Sequence, residues 1–207
     1  MAFINTIPEE QASDDVRRMY EENRKPEGYI PNYVLAFSHR PEVMSAWGNL
    51  LNVIKSKMDP RRYELVTLAA ARTLRHSYCM LAHSLVLSEQ FYTPEQLIRI
   101  ATNYRTADLA PADVAIMAYA EKVVRDATAI TQADIDELKQ HGYSDDEIFD
   151  ITTAATVRCF FSKTLDALGV EPDEAYLALD EELHQTLAIG RPIAGQNTTP
   201  HHSPESK

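Results

Sequence analysis

The sequence predicts an all-α protein, a helical bundle, on three observations. Apolar residues recur at helical spacing through long stretches, as in Val43, Trp47, Leu50, Leu51 and Ile54. Helix-start signals precede other such stretches: Asp59-Pro60, Thr93-Pro94-Glu95-Gln96 and Ser144-Asp145-Asp146-Glu147. No stretch alternates apolar and polar residues between hairpin turns, as strands would.

The elements follow in order. Residues 8 to 25 read as a polar amphipathic helix docked through Val16, Met19 and Tyr20. Residues 28 to 40 form a loop or short helix, punctuated by Pro31-Asn32 and then Pro41. Tyr29, Tyr33 and Phe37 in that loop suit the wall of a small-molecule pocket or ordinary core, and core is the expectation. His39 is expected in solvent. A helix from 42 to 58 follows, with Trp47 expected in the core. Asp59 can cap the next helix and Pro60 suits its first turn, where the missing N–H would be an orphan anyway. From Tyr63 to Ala71 this helix is too apolar to face water on more than one side, so it belongs in the core. Arg75, His76 and Ser77 interrupt the pattern, and Ser77 is expected to cap a helix running through Cys79, Met80, Leu81, His83, Leu85, Val86 and Leu87. Further helices are expected from Pro94, from 110 to 128, from 131 to 141 and from 149 to 168. The last of these is apolar on most sides and so is buried or an oligomer contact. A final helix from Pro172 to Leu187 completes a domain of residues 1–189. The remainder, 190–207 (GRPIAGQNTTPHHSPESK), is too poor in apolar residues to fold and is expected to be a flexible tail. His201 and His202 in it are a weak metal-binding hint.

The stretch from 59 to 91 carries the candidate chemistry. Glu64 enters the helix where the chain goes inside, so its carboxylate either snorkels outward or meets a cavity. Cys79 falls in the first turn of its helix, where free backbone N–H groups and the positive end of the dipole favour thiolate over thiol. His83 lies four residues on and projects from the same face. Taken singly, each residue has a plain structural role: helix-terminal acid, small buried hydrophobe, satisfied histidine. The spacing of Cys79 and His83 is what points to function. Contact between Glu64 and His83 is marginal in a simple hairpin, because they lie about 17 Å and about 10 Å from the turn.

The run of Glu64, Tyr78-Cys79 and His83 resembles the signature of the AhpD-like alkylhydroperoxidases and of the carboxymuconolactone decarboxylase family that shares their fold. The segments PNYVLAFSHRPEVM and SKTLDALGVEPDEAY add to the likeness, which spans residues 3 to about 180. The resemblance implies an AhpD-like helical bundle with related halves. A faint echo fits this: residues 65 to 70 and 150 to 155 are similar, and Thr164 and Leu168 stand where a second Cys79 and His83 would fall. It assigns catalysis to Cys79 as peroxidatic cysteine, His83 and Glu64, with Tyr78 and His76 as supporting positions. Two positions depart from the pattern: His76 replaces the resolving cysteine, and Tyr78 replaces a histidine. Oxidised Cys79 would therefore be a sulfenic acid awaiting an outside thiol. Cys159, in TTAATVRCFF, reads as a packing residue.

Composition narrows the class. At 207 residues with 44% apolar content, the chain can bury a sizeable core. A net charge of -11 argues against nucleic acid or an anionic membrane as partner. No apolar run approaches the ~20 residues of a membrane span. Two cysteines make no disulfide framework, and MAFINTIPEE has no signal-peptide pattern, so a reducing cytoplasm is expected.

The expected function is a thiol-dependent hydroperoxide reductase, an antioxidant peroxidase with no cofactor, taking a small hydroperoxide and an external thiol reductant. The alternative is a non-redox, lactone decarboxylase-like lyase or small-molecule binder that moves protons with Glu64 and His83. A metal site from His76, Cys79, His83 and Glu64 is a third reading, since His-x2-Cys-x3-His places three ligands on one helical face. The resemblance implies a homo-oligomer, trimer or hexamer.

Overall fold

The structure, a computed structural model, describes residues 2–196. Among them the chain forms ten α-helices and no strand: α1 Asp14–Glu27, α2 Asn32–Ala36, α3 Pro41–Lys55, α4 Pro60–Leu74, α5 Ser77–Gln90, α6 Pro94–Asn103, α7 Pro111–Asp126, α8 Gln132–Gln140, α9 Asp145–Ala167 and α10 Glu181–Leu187. The all-α expectation holds. No helix among the described residues is long and apolar enough to cross a membrane.

The bundle is built around α4. Asp59 accepts the Arg62 N–H at 3.0 Å and so starts it. Every residue from Tyr63 to Ala71 is then buried. α4 packs against α7, α5 and α9, and α7 packs against α9 in turn. Each fully buried Leu or Val along this helix contributes ~1.5–3 kcal/mol, which makes α4 the axis of the core. Arg75, in the left-handed conformation at φ 55°, closes α4 and turns the chain into α5.

Several expected boundaries move, each for a local reason. The first helix begins at Asp14 rather than residue 8, because Ser13 caps it through the Val16 N–H while residues 9 to 11 form a separate turn. Ser77 is not the cap of α5. His76 is, its ring accepting the Cys79 N–H, because the Ser77 hydroxyl is taken by the Gly190 N–H at 2.8 Å. The expected helix from Pro172 is two pieces: a 3-10 turn at Glu174–Ala178 and then α10, restarted by Asp180, which accepts from Glu182 and Leu183. In the second copy of the echo α9 runs unbroken to Ala167, so Thr164 does not stand at a helix start.

Placing the tail from residue 190 onward needs correction over 190–196. Ile193 is buried, Arg191 donates to the Asp166 carbonyl at 2.6 Å, and the Ala194 N–H reaches the Pro172 carbonyl. Low apolar content hid this because one buried side chain and several backbone bonds do the docking. Residues 197–207, with His201 and His202, lie outside the described residues. The docking depends on Gly190: a Cβ there would lie 1.9 Å from the Arg75 carbonyl oxygen. Gly190→Ala should therefore lift this segment, lowering stability by ~1–3 kcal/mol and speeding tryptic cleavage after Arg191. Wild-type melting and cleavage would contradict the docked arrangement.

Candidate active site

Cys79 is the third residue of α5 and is buried. Its sulfur meets three elements. From α9, Arg158 Nη1 lies at 3.5 Å and Ser162 Oγ at 3.6 Å, both donating. From α5, His83 reaches it one turn on. From the start of α5, His76 caps the backbone of Cys79 itself, with Nδ1 accepting at 3.3 Å. Burial pushes the Cys79 thiol up, but the Arg158 charge and the bonds from His76 and His83 outweigh it, so the thiol sits well below its ordinary 9.0.

Glu64 and His83 form the second half of the site. His83 Nδ1 lies 2.5 Å from Glu64 Oε2, and Lys55 Nζ lies 3.4 Å from Oε1. Hairpin arithmetic made this contact marginal. Side chains lean toward their helix N-termini, which would widen the gap further, so α4 and α5 must cross rather than run side by side. Burial pushes Glu64 up, yet the His83 bond and the charges of His83 and Lys55 bring it below 4.5. His83 is lowered by burial and by the Arg158 charge, but its bonds to Cys79 and Glu64 raise it overall above 6.5. A carboxylate accepts only, so Nδ1 carries the proton toward Glu64 and the other ring nitrogen is left for the sulfur.

Arg158 was not singled out from the sequence. It is 2% exposed, donates to the Tyr63 hydroxyl at 3.2 Å, and has its Nε buried without a hydrogen-bond partner. One signal was available: a single arginine in the apolar run TTAATVRCFF must find a partner inside. Its neighbour Cys159 is half-buried with Sγ toward the Ala155 carbonyl, and both cysteines are free.

Tyr78 points its hydroxyl at the Asp173 carboxylate. Burial first, and then the Asp173 charge, push its ionisation far above the ordinary 10.0. Asp173 also accepts the Asn32 N–H at 2.7 Å, so the chain after α9 is tied to α2 and to α5 through one carboxylate. The metal reading finds no group of three His, Cys, Asp or Glu side chains arranged to hold an ion among the described residues.

Glu64, Cys79, His83 and Arg158 lie along a cavity of about 730 Å³. Its other walls are largely apolar and aromatic, including Tyr33, Trp47, Leu51, Val86, Phe161 and Tyr176. Trp47 and Tyr33 were expected in the core, and they face this space instead. Trp47 stacks on Phe161 at 4.3 Å, and Tyr33 meets Phe161 edge-on at 5.6 Å. A long loop between two helices gave no sign of which rings the bundle would bury.

Comparison with known proteins gives three findings. Residues 41–122 match the model of the carboxymuconolactone decarboxylase family. No curated protein matches. Among solved structures, an uncharacterised peroxidase-related protein from Ralstonia eutropha JMP134, described as an alkylhydroperoxidase AhpD core, is 23% identical with a TM-score of 0.77, covering 86% of this chain and 95% of that one. A peroxidase-related protein from Silicibacter sp. TM1040 is 21% identical with a TM-score of 0.72, covering 84% and 91%. A variant of the debrominase Bmp8 in complex with 2,3,4-tribromopyrrole is 16% identical with a TM-score of 0.73, covering 90% and 100%.

Proposed function

We propose that this chain, an AhpD-like member of the carboxymuconolactone decarboxylase family, is a thiol-dependent hydroperoxide reductase working through Cys79. The observation that carries the reading is the Cys79 sulfur held in the first turn of α5 within 3.5 Å of a buried guanidinium, on the wall of an open cavity. Nothing in packing requires an arginine there. A thiolate gives it a counter-charge, and a thiolate is the attacking form.

In this mechanism the Cys79 thiolate attacks the terminal oxygen of a hydroperoxide. The O–O bond breaks, the sulfur becomes a sulfenic acid, and the departing alkoxide takes a proton from His83 to leave as alcohol. Glu64 orients His83 and stabilises its charged form. One external thiol then displaces water from the sulfenic acid as a mixed disulfide, and a second releases Cys79. The sum is one hydroperoxide and two thiols to one alcohol, one water and one disulfide. The proposal keeps a domain ending near residue 196, a reducing cytoplasm as its setting and a trimer or hexamer as its assembly. Leu50, Val53, Phe149 and Phe160, exposed on α3 and α9, supply apolar surface for such contacts.

The test is the pH dependence of Cys79 alkylation by iodoacetamide, with sulfenic acid trapped after one equivalent of hydroperoxide. The alkylation midpoint should lie well below 9.0, and the trap should label Cys79. A second reading is favoured by His76 standing where a resolving cysteine would be, and by Cys159 turned to its own helix. In that reading Glu64 and His83 move protons on a lactone-type or other small molecule without redox change. It expects an ordinary midpoint, no trapped product, and turnover that survives alkylation of Cys79.

A further inference from the structure

Cys79 has two histidines against it, and the mechanism above uses only one. His83 lies on the cavity, whereas His76 does not line it. His76 is 1% exposed. Its Nδ1 accepts the Cys79 N–H, so in the neutral ring Nε2 carries the hydrogen. That Nε2 is buried without a hydrogen-bond partner, and it faces Asp166 Oδ1 at 3.9 Å, within ion-pair reach. Asp166 is a third exposed and has Arg191 Nε at 3.6 Å.

A helix cap needs only an acceptor, which serine, threonine or aspartate supplies without burying a donor. A buried imidazole with an orphaned N–H toward a carboxylate is a poor cap by that standard. The arrangement makes sense if the ring gains a second proton: one N–H then serves the sulfur and the other serves Asp166. His76 is among the groups that hold the Cys79 thiol down, behind Arg158.

We infer that His76, backed by Asp166, is a second positioning histidine for Cys79, taking the thiol proton on the side away from the cavity. This rests on Cys79 being the nucleophile. The division of labour follows. The thiol proton passes to His76, the thiolate attacks the hydroperoxide, and His83 gives its own proton to the departing alkoxide. His76 then releases its proton through Asp166 at the surface, and His83 is recharged through the cavity. Neither histidine must give and take the same proton within one step.

Other charged and titratable groups face this cluster, and they bear on its pH response. α4 contributes Glu64, through His83, and Tyr63. α5 contributes Tyr78, whose ring stacks on His76 at 6.4 Å. α9 contributes Arg158 and Asp166, and the C-terminal segment contributes Arg191 and, through Tyr78, Asp173. Arg158 opposes a second positive charge nearby, which is why the Asp166 carboxylate is needed.

The experiment is the alkylation pH profile of the full chain in a Cys159→Ser background, so that only Cys79 reports. Asp166→Asn keeps the shape and removes the charge. It should move the Cys79 midpoint upward by about half a pH unit to one unit, with alkylation on the order of three- to tenfold slower below the midpoint. Asp166→Glu should recover most of the shift. His76→Gln retains an acceptor for the Cys79 N–H and should move the midpoint at least as far as Asp166→Asn. An unchanged profile in Asp166→Asn overturns the inference, including the case where His76→Gln alone shifts, which leaves His76 as a cap only. Failure of the peroxidase reading is distinguishable: wild-type protein would then yield no sulfenic acid, while the alkylation profiles would still move with Asp166.

Discussion

Replacing Cys79 by serine should abolish hydroperoxide consumption, lowering the thiol-dependent rate by ~10³-fold or more, as the loss of a nucleophile does. The hydroxyl has no accessible anion near neutral pH, so the Arg158 charge gains nothing from it. The same change leaves that guanidinium, already short of a partner at Nε, beside a neutral oxygen. Stability should therefore fall by ~1–3 kcal/mol, and thermal unfolding measured beside the peroxide assay separates the two effects. A folded serine variant that consumes hydroperoxide at the wild-type rate would end the peroxidatic role of Cys79.

The parts of this site that were legible in the sequence share one property: they are local. Cys79 and His83 are four residues apart on one helix, and the break at Arg75 to Ser77 places Cys79 in a first turn, so their shared face follows from helix geometry. Glu64 was readable as an acid at the buried start of α4, yet its bond to His83 was not, because periodicity fixes which face a residue is on and not how two helices cross. Arg158 comes from α9, 79 residues beyond Cys79, and no local pattern says which helix α9 will meet. His76 was misplaced outside the helix for a different reason. Caps are read from Ser, Thr, Asp and Asn, and a histidine ring acting as cap acceptor gives no such signal. The docked segment at 190–196 escaped because composition measures apolar content, whereas this segment is held by Gly190 fitting under a carbonyl and by Arg191 reaching Asp166.

Arg158→Met is the substitution that separates chemistry from architecture at this site. Methionine keeps most of the stem length, fills irregular space and carries no charge. With the guanidinium gone, desolvation of the buried sulfur is no longer outweighed, and the Cys79 thiol should rise toward or past its ordinary value. At pH 7 both alkylation and hydroperoxide turnover should then fall by ~10²-fold. Stability should move little, or rise, because a buried charge with one nitrogen unpartnered is often replaced by an apolar side chain at no cost. The pH dependence of stability gives the decisive sign. A thiol depressed in the folded state contributes stability that is fully present above 9.0 and is lost as pH falls through the folded value. Wild-type protein should lose that contribution on acidification, and the methionine variant should have little of it to lose. The opposite pattern, a collapsed melting temperature with an unmoved Cys79 profile, would make Arg158 a structural tie to Tyr63. The thiolate would then lose its main electrostatic support, and the Glu64 and His83 pair would become the better place to look for chemistry.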